Sequence, residues 1–195
     1  MSKVLARLFL RLAGWQVEGE RPASKRYVML GAPHTSNWDF IYMLAMARVL
    51  GIRVRWVGKH TLFRWPFGGL MRKLGGIPVN RVSPGNFVNT VVSAFANEPE
   101  FELLIPPEGT RHFRPYWKSG FYRIAKAAGV PVVMAYVDYT RKAGGVGPSF
   151  MPSNDVTKDM DIIREFYANI RGAYPDQFST PVLHEEQQAI PQQTG

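Results

Sequence analysis

Residues Tyr27–Leu50, YVMLGAPHTSNWDFIYMLAMARVL, contain the first strand, loop and helix of the predicted fold. The apolar run Tyr27–Leu30 is typical of a buried strand, and Gly31-Ala32-Pro33 ends it. A polar turn follows, and the apolar stretch from about Trp38 to Leu50 is long enough for a helix that Gly51 stops. This strand, loop and helix form the repeating unit of an α/β protein.

The same alternation continues along the chain. Further strands are predicted at Arg53–Val57, Ile77–Val79, Phe101–Ile105 and Val132–Asp138. A short helix is predicted to end near Leu74, and longer helices are predicted at Asn86–Asn97, Gly120–Ala128 and Asp159–Ile170. With 195 residues, 46% of them hydrophobic, the chain can bury one core. We expect a single α/β domain over residues 26–171, with a mixed, mostly parallel sheet flanked by helices. Residues 172–195, rich in Gln and Pro, predict a partly disordered tail.

Charge and cysteine content narrow the possible functions. The net charge is +9, and residues 1–81 hold 14 Lys and Arg against three acidic residues. A basic half suits nucleic acid, an anionic lipid surface or an anionic substrate, and charge alone does not distinguish them. The chain has no cysteine, which excludes disulfides, a cysteine nucleophile and thiolate metal sites.

The chain begins with a predicted basic amphipathic helix. Apolar residues recur at helical spacing between Val4 and Leu12, with Lys3, Arg7 and Arg11 on the other side. This helix either caps the core or lies at a lipid surface, and different faces could do both. We assign residues 1–25 to a membrane-associating helix and linker. Apolar runs reach only about eight residues, well below the roughly 20 of a membrane span.

His34 and Asp39 are the first candidate catalytic residues. His34 follows the first strand, and Asp39 lies just inside the following helix. The intervening Thr35, Ser36 and Asn37 favour turns and helix caps. If this turn folds back, Asp39 can accept the Nδ1 proton of His34 and leave Nε2 free as a general base.

A second candidate site follows the strand Phe101–Ile105, in the sequence Pro107-Glu108-Gly109-Thr110-Arg111. Gly109 permits a tight turn at the end of the strand. Arg111 offers a planar fork suited to phosphate, and Arg81, after the third strand, offers another. Glu108 would repel a phosphate, so we expect it to meet an acceptor hydroxyl or to orient an arginine.

Four ordered blocks of the sequence resemble the glycerophospholipid acyltransferase family, typified by 1-acylglycerol-3-phosphate acyltransferase. The resemblance spans roughly residues 27 to 138, and its blocks are His34–Asp39, Gly58–Arg81 (GKHTLFRWPFGGLMRKLGGIPVNR), Pro107–Arg111 (PEGTR) and Val130–Val133 (VPVV). It implies a short bacterial-type member without membrane spans and with a glycerol-3-phosphate acyltransferase-like fold. It also implies that His34 is the general base and that Asp39 orients it. Arg81, Glu108, Gly109 and Arg111 would then bind the glycerol-phosphate part of the acceptor, as would Thr110 between them.

The resemblance also implies a reaction. A fatty acyl group would move from acyl-coenzyme A or acyl carrier protein to the hydroxyl of a lysophospholipid, 1-acylglycerol-3-phosphate by default or another lyso-lipid such as a lyso-aminolipid. No cofactor is expected. Lys59 or loop amides are candidate oxyanion donors, and Lys118 is a candidate additional cation near the third block. We expect a peripheral protein on the cytoplasmic, anionic face of the membrane.

Four alternatives are less well supported. One is an anionic-lipid-binding protein that has kept the fold but lost activity, and the retained His34 and Asp39 argue against it. A hydrolase nucleophile at Ser83 lacks the first glycine of the usual elbow. The four histidines show no paired spacing for zinc. The aromatic residues lie inside apolar patterns, and no nucleic-acid-binding motif interleaves them with basic residues, so we expect no nucleic-acid partner.

Overall fold

One seven-stranded sheet forms the centre of the protein. The computed structural model describes residues 2–79 and 84–188. The strand order is β1-β7-β6-β2-β5-β3-β4, and every neighbouring pair is parallel except β6 and β7. The strands are β1 Gln16–Glu18, β2 Arg26–Gly31, β3 Arg55–Lys59, β4 Gly76–Val79, β5 Phe101–Ile105, β6 Val132–Asp138 and β7 Ala143–Phe150. The predicted single α/β domain with a mixed, mostly parallel sheet is confirmed.

Helices cover both faces of this sheet. They are α1 Lys3–Leu12, α2 Trp38–Leu50, α3 Gly68–Lys73, α4 Pro84–Asn97, α5 Gly120–Ala128, α6 Val156–Tyr167 and α7 His184–Gln188, with 3₁₀ turns at His60–Phe63 and Pro175–Gln177. The predicted last helix begins three residues earlier than expected. Asp155 caps it, because its side chain accepts a hydrogen bond from the Lys158 N–H at 3.2 Å.

Successive side chains of β2 point to opposite faces of the sheet, and the helices form one layer on each face. Val28 and Leu30 pack into a core with α4, α5 and α6, whereas Tyr27 and Met29 share the opposite core with α2 and the segment of α3. Helix α1 lies on α2, where Leu10 is buried. The two layers therefore present surfaces on opposite sides of the sheet.

Helix α1 buries one apolar stripe and exposes another. Ala6 and Leu10 pack against α2, and Ser2 caps the helix by accepting from the Leu5 N–H at 3.2 Å. The other stripe is open to solvent, with exposed fractions from 50% at Leu8 to 79% at Leu12. The helix thus contributes to the core, as one of its two predicted roles requires, and leaves a second apolar face uncovered. Across residues 2–79 and 84–188, no helix has the length and apolar character needed to span a bilayer.

Two further features of the fold differ from the sequence prediction. Strands β1 and β7 were not predicted, because β1 is three residues long and β7 is rich in Gly, which is depleted in strands. The predicted disordered tail instead packs onto the domain as far as α7. Leu183 is fully buried, and the Trp117 N–H donates to the Val182 carbonyl at 2.8 Å. Residues 189–195 lie outside the described part of the chain.

The packing of Leu183 makes the tail a part of the core. We predict that Leu183→Ala lowers the free energy of unfolding by about 2–5 kcal/mol, because the buried side chain leaves a cavity. Urea denaturation followed by circular dichroism measures it, with Thr180→Ala on the exposed surface as control. Equal stabilities of the two variants would show that the tail does not contribute to the core.

Candidate active site

The carboxyl ends of four parallel strands meet at one edge of the sheet. Strands β6, β2, β5 and β3 are adjacent in that order. His34 follows β2, Glu108 follows β5 and Tyr139 follows β6, while Lys59 is the last residue of β3. In open α/β sheets this edge is where ligands bind.

The turn between β2 and α2 folds back onto Asp39, which is the condition for a contact between His34 and Asp39. The backbone N–H groups of Thr35 and Ser36 both donate to Asp39 Oδ2, each at 2.8 Å, and all three residues are buried. The Ser36 hydroxyl in turn accepts from the Trp38 N–H at 3.2 Å. These bonds bring Asp39 Oδ2 to 3.5 Å from His34 Nδ1. His34 therefore contacts a fixed carboxylate through one ring nitrogen.

The other ring nitrogen of His34 is accessible for chemistry. The side chain is 20% exposed, and no residue in the described part of the chain hydrogen-bonds to Nε2. An imidazole held at Nδ1 by a carboxylate and open at Nε2 has the geometry of a general base.

Tyr139 is a residue of this site that the sequence analysis missed. Its hydroxyl donates to Asp39 Oδ1 at 2.7 Å. Burial, followed by the hydrogen bond to Asp39, raises the pKa of Tyr139 well above its usual value, so the hydroxyl keeps the proton that it donates. Its position directly after β6, the neighbour of β2, was the available signal. It could be used only once the strand order was known.

Residues 171–174, at the boundary between the predicted domain and the predicted tail, also support the turn. The Tyr174 N–H donates to Thr35 Oγ1 at 3.2 Å, and the Arg171 carbonyl accepts from the Tyr139 N–H at 2.9 Å. A Cβ at Gly172 would lie only 2.6 Å from Thr35 Oγ1, so glycine permits this close approach. The segment after α6 therefore holds both the histidine turn and Tyr139.

Glu108 lies beneath the histidine instead of facing solvent. It is only 4% exposed, its Oε1 accepts from the His34 backbone N–H at 2.8 Å, and its Oε2 has no partner in the described residues. Burial raises the pKa of Glu108 to about 8, although its two backbone hydrogen bonds oppose the shift. Within the described residues Glu108 contacts the backbone of His34 and no arginine, and its raised pKa favours the protonated carboxyl near pH 7.

The other predicted residues of the third block lie around this position. Gly109 has φ +66°, as the predicted tight turn requires, and its N–H donates to the Pro106 carbonyl at 3.1 Å. Thr110 is half-buried, and its hydroxyl accepts from the His112 N–H at 3.4 Å. Arg111 is exposed.

Three further cations were predicted as site residues: Lys118, Lys59 and Arg81. The Lys118 side chain is exposed. Its backbone N–H donates to the Pro107 carbonyl at 2.8 Å, which places the residue beside the third block. Lys59 is exposed at the end of β3, two strands from β2. Arg81 lies outside the described residues. No group of three His, Cys, Asp or Glu residues suited to a metal occurs within residues 2–79 and 84–188.

Comparison with known proteins identifies the family. The family model described as Acyltransferase matches residues 15–138, more than half of the chain. This chain belongs to the acyltransferase family. The matched segment contains His34, Asp39 and Glu108. Tyr139 and the segment after α6 lie beyond it. No curated protein sequence matches this acyltransferase.

A solved structure has a similar fold. The crystal structure of the 1-acyl-sn-glycerophosphate (LPA) acyltransferase PlsC from Thermotoga maritima superposes with a TM-score of 0.59 at 15% sequence identity. The alignment covers 84% of this acyltransferase and 74% of the Thermotoga chain. At this identity the likeness establishes the shared fold.

The buried carboxyl of Glu108 makes stability depend on pH. Its pKa is raised above that of the unfolded chain, so between about pH 4.5 and 8 folding retains a proton that unfolding releases. The free energy of unfolding therefore falls by up to about 1.4 kcal/mol per pH unit in this window. We predict that Glu108→Gln, which cannot titrate but still accepts from His34, removes this slope.

Urea denaturation at pH 5.5 and 7.5 tests the prediction. The stability of Glu108→Gln relative to the unsubstituted protein should increase by roughly 2–3 kcal/mol from the lower to the higher pH. Glu185→Gln, on the exposed surface, is the control. A difference that stays constant with pH would contradict a neutral Glu108.

Proposed function

We propose that this acyltransferase transfers a fatty acyl group from an acyl thioester to the hydroxyl of a lysophospholipid, with 1-acylglycerol-3-phosphate as the first candidate acceptor. The observation that carries the proposal is the contact of His34 Nδ1 with Asp39, fixed by two backbone amides and Tyr139 at the edge of the sheet. Another lyso-lipid, such as a lyso-aminolipid, is the alternative acceptor.

In the proposed reaction His34 moves one proton. Its Nε2 takes the proton from the acceptor hydroxyl as that oxygen attacks the thioester carbonyl. The new C–O bond forms, the C–S bond breaks, and the sulfur leaves as a thiolate that takes the proton back from the imidazolium. Asp39 stabilises the imidazolium and keeps the ring oriented. No acyl-enzyme and no cofactor are needed.

Cations near the edge support an anionic substrate. Arg111 and Lys118 lie beside the loop that holds Glu108, and Lys59 lies at the end of β3; all three are exposed. Because burial raises the pKa of Glu108 to about 8, the protonated form is favoured near pH 7 and would repel a bound phosphate less than a carboxylate would. Lys59 and loop amides are both candidates for donating to the tetrahedral oxyanion. The donor is acyl-coenzyme A or acyl carrier protein.

A large exposed apolar area supports work at a lipid surface. We call it the α1–α3 surface: ten exposed side chains on one side of the sheet, Val4, Leu5, Leu8, Leu12, Trp38, Ile41, Leu62, Trp65, Phe67 and Leu70. Trp65 is the extreme, with 93% of its surface exposed. Exposed apolar area of this extent is typical of a membrane or protein interaction site.

The charge of the same layer favours an anionic membrane. No Asp or Glu occurs from residue 2 to 17 or from 40 to 79, and both segments carry exposed Lys and Arg, such as Arg7, Arg64 and Lys73. Exposed Trp, Phe and Leu with surrounding cations have the composition of interfacial helices. We therefore propose a peripheral enzyme on an anionic, cytoplasmic membrane face.

The catalytic assignment is tested with labelled acyl-coenzyme A and acyl carrier protein donors and a panel of lyso-lipid acceptors, followed by mass spectrometry. His34→Ala should lower kcat by roughly 10²–10⁴-fold, because the general base is lost. Asp39→Asn should also lose activity, since the ring is no longer held by a carboxylate. Circular dichroism verifies that both variants are folded. Full activity of folded His34→Ala would exclude the mechanism.

The membrane assignment is tested by flotation with vesicles containing phosphatidylglycerol. Leu12→Ser with Trp65→Ser should weaken binding roughly ten-fold or more, because both exposed side chains lose apolar transfer energy. Binding of the unsubstituted protein should also fall as salt is raised. The matched control is Met151→Ser with Ile162→Ser, two exposed apolar residues outside the α1–α3 surface. Equal loss in both variants would reject this surface as the docking face.

A further inference from the structure

A second charged surface lies on the opposite side of the sheet. No Asp or Glu occurs from residue 109 to 137, whereas the same stretch carries five cations, Arg111, Arg114, Lys118, Arg123 and Lys126. All five are exposed, and none forms an ion pair with another described residue. We call these residues the α5 basic surface. Such a concentration of unpaired positive charge attracts an acidic partner.

The α5 basic surface begins at the catalytic edge and leads away from it. The Lys118 N–H donates to the Pro107 carbonyl, and a Cβ at Gly109 would lie 3.3 Å from Lys118 Cγ. Helix α5 then rises about 12 Å toward the start of β6 at the far edge of the sheet. Arg123 and Lys126 are three residues apart and share one face of this helix.

An apolar groove runs beside these two cations. It is a cavity of about 520 Å³, and Tyr122, Val156 and Leu183 are among its lining residues, together with Arg123 and Lys126. Glu185 is the one acidic residue among the described residues that line it. An apolar groove with flanking cations fits an amphipathic helix whose polar face is acidic.

The position of the α5 basic surface limits the kinds of partner that can bind there. The α1–α3 surface lies on the other side of the sheet, so a flat membrane bound there cannot also contact α5. The phosphates of a coenzyme would need a few cations close to His34, and would not explain an apolar groove beside Arg123 and Lys126. A protein that arrives from the aqueous side would contact both the groove and the cations.

Resting on the proposed function, we propose that the α5 basic surface docks an acidic carrier protein that brings the acyl group as a thioester on a flexible arm. An acyl carrier protein has this chemistry. The partner places an acidic helix in the groove, and its arm extends past Lys118 toward His34. Electrostatic attraction of this kind acts mainly on encounter and weakens as ionic strength rises.

The test compares two donors and two charge-reversal variants. Arg123→Glu with Lys126→Glu should lower the ratio of kcat/KM for acyl carrier protein to kcat/KM for acyl-coenzyme A by about ten-fold or more. Lys142→Glu with Lys158→Glu is the control, because both lysines are exposed and the change in net charge is the same. This control should leave the ratio as it is in the unsubstituted protein.

A binding measurement separates failure of this proposal from failure of the proposed function. Titration with holo acyl carrier protein, free of any acyl group, should show heat of binding that is lost in the double variant and at high salt. If transfer fails with both donors but this binding remains, the reaction is wrong and the docking surface stands. Transfer from acyl-coenzyme A without carrier binding, an equal loss with both donors, or preferential binding of an oligonucleotide would each overturn the docking proposal.

Discussion

The two hydrogen bonds that Thr35 and Ser36 donate to Asp39 are the constraint on which the site depends. They convert a sequence separation that a regular helix would spread over different faces into a contact between His34 and Asp39. The other oxygen of Asp39 is held by Tyr139, so the carboxylate has little freedom to turn. Because backbone amides provide two of these bonds, the geometry depends more on the turn itself than on any single side chain.

A few contacts between α6, the segment after it and the sheet also hold this turn in place. The Tyr167 hydroxyl lies between the carbonyls of Leu30 and Ala135, at 3.3 Å and 2.9 Å, and so connects α6 to the two strands that precede His34 and Tyr139. The segment after α6 then returns to Thr35. One helix and its following segment thus hold both the His34 turn and Tyr139, and these contacts keep residues 172–174 against the domain.

Much of this could be predicted from the sequence because the signals are local. The apolar runs of β2, β5 and β6, the glycine at the end of α2 and the turn residues before Asp39 act within a few positions. Strand order, by contrast, depends on non-local pairing, so Tyr139 could not be assigned to the site. The contact of Glu108 with the His34 N–H could not be predicted for a related reason: the burial of Glu108 follows from the packing of β5 beside β2, whereas its charged neighbours in the sequence suggested a substrate role.

The raised pKa of Glu108, about 8, bears on the proton transfer that we propose for His34. With Glu108 protonated, Asp39 is the one carboxylate in contact with His34 among the described residues, so an imidazolium formed in the proposed transfer would face a single negative charge. A second ionised carboxylate beneath the ring would stabilise an imidazolium further and so oppose the loss of its proton. With a single counter-charge beside the ring, the proposed return of the proton from His34 to the departing sulfur is opposed by less electrostatic stabilisation.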